Sequence, residues 1–173
     1  MSVLPVLKFP NPQLARRSVP VTQFDQALHD LSANMLETMY EEGGIGLAAP
    51  QVGQLKRLIV VDVREGEGET DEARRTPRVY VNPEILERSG ELITEEGCLS
   101  VEEFTAEVAR AQRIRLAYQH TDGTPDEAVL EDLAAVCVQH EVDHLNGRLF
   151  IDHLPPLKRQ MVKKRLAKLY RSA

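Results

Sequence analysis

Two histidines and a glutamate carry the most direct chemistry in this chain. Residues 139–147 read Gln-His-Glu-Val-Asp-His-Leu-Asn-Gly. His140 and His144 are one helical turn apart, so on a helix both imidazoles leave the same face and reach one metal ion. Glu141 is poorly placed as a third ligand, but it can face a water at such an ion and act as a general base. A helix is expected because Leu133, Val136, Cys137, His140, His144 and Leu145 fall at helical spacing, on or beside one face. Asn146-Gly147 supplies a left-handed stop. The bland alternative is a buried helix with two hydrogen-bonded histidines.

A catalytic site of this type takes three protein ligands and leaves a position for water. The chain has two cysteines, Cys98 and Cys137. Cys137 and His144 are seven residues apart on the helix, roughly 10 Å along its axis. Side chains so separated do not converge easily on an ion with bonds of about 2.0–2.3 Å. The geometry favours a ligand from another segment. Cys98 lies in the glycine-containing stretch Glu95-Glu96-Gly97-Cys98-Leu99-Ser100-Val101 and is a candidate. Cys137 then reads as a small apolar thiol in the core near the site.

Three segments together resemble bacterial peptide deformylase: Gly44-Ile45-Gly46-Leu47-Ala48-Ala49-Pro50-Gln51-Val52-Gly53, Glu96-Gly97-Cys98-Leu99-Ser100, and Gln139-His140-Glu141-Val142-Asp143-His144-Leu145. They occur in the family's order and spacing, and the similarity runs over nearly the whole chain. The resemblance implies an α+β fold with mainly antiparallel sheets around a central HExxH helix, followed by a C-terminal helix. It implies one domain over residues 1–173, with residues 155–173 as that terminal helix. It implies a hydrolase that removes the formyl group from N-formylmethionine of nascent polypeptides and releases formate. Cys98, His140 and His144 would hold one divalent ion, Fe²⁺ natively, with Ni²⁺, Co²⁺ or Zn²⁺ also accepted. Metal-activated hydroxide would attack the formyl carbon. Glu141 would serve as general base and then acid, and the Leu99 N–H and the Gln51 amide would stabilise the oxyanion. Gly44, Ile45 and Gly46 would pair with an extended substrate by strand addition. Ile45, Leu133, Val136 and Cys137 would receive the methionine side chain.

The chain departs from the family pattern after the cysteine motif. Proline is usual there, and this chain has Glu102-Glu103-Phe104. Proline would fix φ, so a looser backbone is expected. Arg110, in Val108-Ala109-Arg110-Ala111, is the residue expected to meet the peptide backbone or its carboxylate end.

The bulk sequence agrees with this reading. At 173 residues, 42% hydrophobic and 28% charged, the chain suits a single soluble domain. No apolar run approaches the roughly 20 residues of a membrane span. The N-terminus lacks the pattern of a secretory signal. Two thiols at a reduced site imply a reducing, cytoplasmic setting. Residues 155–173 hold seven basic residues and no acidic one, leaving −13 for residues 1–154 against −6 for the whole chain. An acidic body argues against DNA binding. The basic tail is either a docked amphipathic helix, with Leu157, Met161, Val162, Leu166 and Leu169 as its stripe, or a contact for ribosomal RNA phosphates.

The elements that must position these residues are legible in part. Prolines at 5, 10, 12 and 20 mark an extended arm. Phe24, Leu28, Leu31, Met35 and Met39 predict a helix capped by Thr22 and ended by Gly43-Gly44. Residues 58–63 and 79–83 predict strands, and 64–78 a mobile charged loop. The alternation over 113–118 predicts a half-buried antiparallel strand, and Thr121-Asp122-Gly123-Thr124 a hairpin turn. His29, His120 and His153 have no partner motif, and Asp143 reads as structural. One competing function is an HExxH metallopeptidase taking His153 as its third ligand. Another is a non-catalytic metal-binding or ribosome-associated module, for which Glu141 would have no use.

Overall fold

The computed structural model describes residues 2–171. Its elements run α1 (Gln26–Glu41), β1 (Gly46–Ala48), β2 (Leu58–Val61), α2 (Asp71–Arg74), β3 (Arg78–Ser89), β4 (Leu92–Cys98), β5 (Val101–Arg110), β6 (Arg113–Gln119), β7 (Pro125–Glu131), α3 (Asp132–Leu145) and α4 (Pro156–Arg171). One antiparallel sheet has the order β1-β2-β3-β6-β7, and β4-β5 form a separate antiparallel hairpin. β1 is one edge of the large sheet, and among the described residues β4 pairs only with β5. The fold class is α+β, as the strand alternation and the resemblance imply.

α3 is the central helix. Ala135, Val138, Val142 and Leu145 pack with Ala48, Ile59, Val61, Ile114 and Leu116 of the large sheet. The other face of that sheet meets α1 through Leu28, Met35 and Met39, so the methionine stripe is core. A third cluster joins β5 (Val101, Ala106, Val108) to Phe150, Ile151, Val162 and Leu166. Gly147, with φ +76°, ends α3 as the Asn-Gly pair predicts. The hairpin turn at Gly123 joins β6 to β7.

Several expectations change. The cap of α1 is Asp25, whose carboxylate accepts the Leu28 N–H at 3.1 Å, and Thr22 lies outside the helix. A carboxylate at that end also complements the helix dipole. The stretch 64–78 is tied down. It contains α2, and Arg64 and Arg75 both reach Asp71. Arg75 lies over the Tyr40 ring at 3.9 Å, and Tyr40 hydrogen-bonds Asp62. Its charges serve local pairing. On α4, Val162 and Leu166 are buried, whereas Leu157 and Met161 are 73% and 65% exposed. The docked stripe is thus narrower than the apolar pattern suggests.

Candidate metal centre

Each candidate ligand arrives on an element whose placement has a local cause. α3 is pinned by Gln139, whose amide bonds both the N–H and the carbonyl of Ala111, at 3.0 and 2.8 Å. That contact fixes the roll of the helix, so His140 and His144 face β4 and the β4–β5 turn. Cys98 ends β4 and pairs in register with Val101, leaving Leu99-Ser100 as a two-residue turn. A tight turn holds the cysteine rigidly.

The ligand atoms of Cys98, His140 and His144 lie within 4.8 Å of one another. Cys98 Sγ is 3.3 Å from His144 Nε2. Metal bonds of about 2.0–2.3 Å place tetrahedral ligand atoms about 3.5 Å apart, so the three residues fit a divalent ion. His140 Nδ1 meets Glu96 Oε1 at 2.9 Å, which leaves Nε2 for a metal. Burial disfavours the Cys98 thiolate, but His144 and His140 beside it outweigh burial and hold the thiol well below its ordinary value. A thiolate is the form that binds metal. His153 is not in this group, so the donor set is Cys-His-His.

Glu141 is 4% exposed, and its Oε1 is buried with no hydrogen-bond partner among the described residues. Burial pushes its carboxyl up, with His140 and His144 acting against that shift. Gln51 is held from both ends. Its Oε1 accepts the Ala48 N–H at 2.9 Å, while Nε2 donates to Ser100 Oγ at 3.2 Å and approaches Cys98 Sγ at 3.6 Å. Gly46 passes against the same group: a Cβ there would sit 2.5 Å from Glu141 Oε2 and 2.8 Å from Cys137 Sγ. Glycine is required by this approach and not by an unusual φ. Cys137 is buried, its Sγ 3.6 Å from the Ile45 carbonyl. Burial, then Glu141 and Glu96, push its thiol up, so it stays neutral.

The structure gathers Gly44, Ile45, Gly46, Gln51, Leu99, Leu133, Val136 and Cys137 with Cys98, His140 and Glu141 around one cleft of about 530 Å³. Val136 and Cys137 are buried in its wall, while Leu133 and Ile45 are 51% and 37% exposed. Arg110 does not line the cleft. It is 5% exposed, with Nε and NH2 on Glu96 at 2.8 Å and NH1 on Asp143 Oδ2 at 2.7 Å. This corrects the expectation that Arg110 meets substrate. On β5 the inward positions are Ala106, Val108 and then Arg110. An arginine continuing an apolar face was the signal for a buried carboxylate partner.

Glu96 is the residue that motif reasoning left without a role. It joins Arg110 to the candidate ligand His140, and His153 and Asp143 extend the network at 2.8 Å. Burial opposes its charge, but Arg110 and His140 prevail and lower its pKa from an ordinary 4.5 to about 2. Folding therefore favours the ionised form. This stabilisation is complete above pH 4.5 and is lost as pH falls through about 2. At about 1.4 kcal/mol per pH unit it amounts to about 3 kcal/mol. Urea unfolding of the metal-free protein between about pH 5 and about pH 2 should show this loss, and Glu96→Gln should flatten it.

Glu102, expected to loosen the backbone, is instead held. Its N–H donates to Tyr170 Oη at 3.1 Å, a bond proline could not make, and its carboxylate meets Lys8 Nζ at 2.6 Å.

Comparison with known proteins accords with this geometry. The family model for polypeptide deformylase matches residues 3–160. The chain is 48% identical to peptide deformylase 2 of Xanthomonas campestris pv. campestris, over 98% of this chain and 97% of that one. A crystal structure of a peptide deformylase from Legionella pneumophila superposes with a TM-score of 0.86 at 41% identity, covering 98% and 96% of the two chains. The Ehrlichia chaffeensis peptide deformylase in complex with actinonin gives a TM-score of 0.86 at 34% identity, covering 97% and 98%. The chain belongs to the polypeptide deformylase family of enzymes.

Proposed function

We propose that this protein removes the formyl group from N-formylmethionine at the start of nascent polypeptides and releases formate. The observation that carries this reading is the clustering of a Cys98-His140-His144 donor set, of which Cys98 and His140 line the cleft, beside Glu141, a buried carboxylate whose Oε1 has no hydrogen-bond partner among the described residues. A divalent ion held by the three ligands would supply water activation and carbonyl polarisation. Fe²⁺ is our proposed native ion, with Ni²⁺, Co²⁺ or Zn²⁺ as substitutes.

The chain's own residues account for the rest. Glu141 takes a proton from the attacking water and returns it to the departing amine. Burial raises its proton affinity above that of an ordinary carboxylate, the direction suited to a group that both takes and returns a proton. The Gln51 amide, anchored on Ala48 and Ser100, and the Leu99 N–H donate to the oxygen on which negative charge develops. Ile45, Leu133, Val136 and Cys137 take the methionine side chain, and burying it contributes about 2 kcal/mol. The substrate backbone pairs along Gly44, Ile45 and Gly46 at the β1 edge. The neutral Cys137 thiol keeps that wall apolar.

We read residues 1–173 as one domain acting in the cytoplasm. Among the described residues no helix is long and apolar enough to cross a membrane. The basic α4 is our candidate for contact with ribosomal RNA phosphates, favoured by its exposed face beside the exposed Leu157 and Met161. Replacing Lys164 and Arg165 by Glu should reduce co-sedimentation with ribosomes at low salt while peptide turnover persists. Unchanged co-sedimentation would remove that reading.

The function itself is tested by product analysis on paired peptides. N-formyl-Met-Ala-Ser should yield formate and intact Met-Ala-Ser, and unformylated Met-Ala-Ser should remain uncut. Cleavage within Met-Ala-Ser would favour a metallopeptidase.

A further inference from the structure

The N-terminal arm grips the backbone behind the two oxyanion donors. The Leu7 N–H donates to the Gln51 carbonyl at 2.7 Å, and the Phe9 N–H to the Ser100 carbonyl at 2.9 Å. Between them, Lys8 Nζ donates to the Leu99 carbonyl at 2.7 Å. The same ammonium is held by Glu102 Oε1 at 2.6 Å, and Glu102 is tethered to α4 through Tyr170 Oη. Leu99 and Ser100 make up the entire β4–β5 turn. Holding both of their carbonyls leaves the turn little freedom to tilt, and the Leu99 N–H is carried on it.

Building on the deformylase reading, we propose that Lys8 is a positioning residue for this reaction. Its ammonium, braced by Glu102, holds the Leu99–Ser100 peptide, and through the Leu99 Cα in this two-residue turn it limits rotation of the adjoining Cys98–Leu99 peptide, so that the Leu99 N–H is aimed at the oxyanion before substrate arrives. Two features separate this role from that of an ordinary surface ion pair. The Lys8 and Glu102 side chains are 32% and 49% exposed, so their charge pairing alone contributes little to folding. The contact that matters is the one to a backbone carbonyl in a two-residue turn, where a small tilt weakens a transition-state donor and leaves ground-state binding in the apolar pocket intact.

The test is steady-state kinetics on N-formyl-Met-Ala-Ser with nickel-loaded full-length protein, beside hydrogen exchange of the 97–101 segment in the metal-free chain. Lys8→Met should lower kcat about tenfold, less than the loss of about 100-fold or more on deleting an oxyanion donor. KM, metal content and unfolding midpoint should stay near wild type. Lys8→Arg, which keeps a cationic donor, should recover most of kcat, and Glu102→Gln should fall between. Exchange in 97–101 should quicken in Lys8→Met and return in Lys8→Arg. Wild-type kcat in Lys8→Met, or equal losses in the Met and Arg variants, would overturn the proposal. So would a change confined to KM or stability. An inactive wild type would instead remove the deformylase reading on which the proposal rests.

Discussion

Glu141→Gln should retain the metal and lose deformylation by about 100-fold to 10⁴-fold, the range of a positioned general base. The amide preserves volume and polarity, and Cys98, His140 and His144 are untouched. Metal content measured after desalting should therefore equal that of wild type. The same variant should unfold at an equal or higher denaturant concentration. The wild-type carboxylate is buried with an unpartnered oxygen, and an ionised group so placed costs stability. A loss of turnover together with a gain in stability is the mark of a residue kept for chemistry. Loss of both metal and stability would show that Glu141 is a structural member of the site.

Arg110→Met should destabilise the protein by about 3–5 kcal/mol, because it leaves the buried Glu96 carboxylate and the half-buried Asp143 carboxylate without the guanidinium that joins them. Metal affinity should also drop by about 10-fold to 100-fold, since Glu96 then orients His140 less firmly. Adding Glu96→Gln to Arg110→Met should return part of the stability by removing one stranded charge. Urea unfolding and a competitive chelator titration read the two effects separately. A variant with normal stability and a raised KM would mean that Arg110 contacts substrate, contrary to the buried ion pairs seen in the fold.

These two residues also show what the sequence disclosed and what it hid. His140, Glu141 and His144 were legible because the relation between them is local: four residues on a helix fix their geometry. Cys98 was a candidate because helix spacing set Cys137 aside, whereas Gln51 and Leu99 came from the resemblance alone, since no spacing rule connects residues 51, 99 and 140. The buried network was missed because its members meet only through the β4–β5 pairing and the packing of α3 against it. Glu96 and Arg110 look like surface charges within a charged stretch, yet each occupies an inward position. Alternation along Ala106, Val108 and Arg110 was the available clue. The β4–β5 hairpin itself was obscured by Glu95, Glu102, Glu103 and Glu107, which lower strand propensity from outward positions, and by Glu96, a charge on the inward face. The reading of Glu102 as a source of looseness failed for a related reason. The loss of proline's constraint was visible in sequence, but the compensating contacts come from residues 8 and 170, remote along the chain.

In the proposed reaction one ion on Cys98, His140 and His144, served by Glu141, drives deformylation. The most direct measurement is an anaerobic titration of chelator-stripped protein with Fe²⁺, following formate release from N-formyl-Met-Ala-Ser. Formate release should rise with added metal and level off at one ion per chain, and Glu141→Gln loaded to the same level should stay near the baseline. Formate release from the stripped protein, or none from the fully loaded wild type, would contradict the claim.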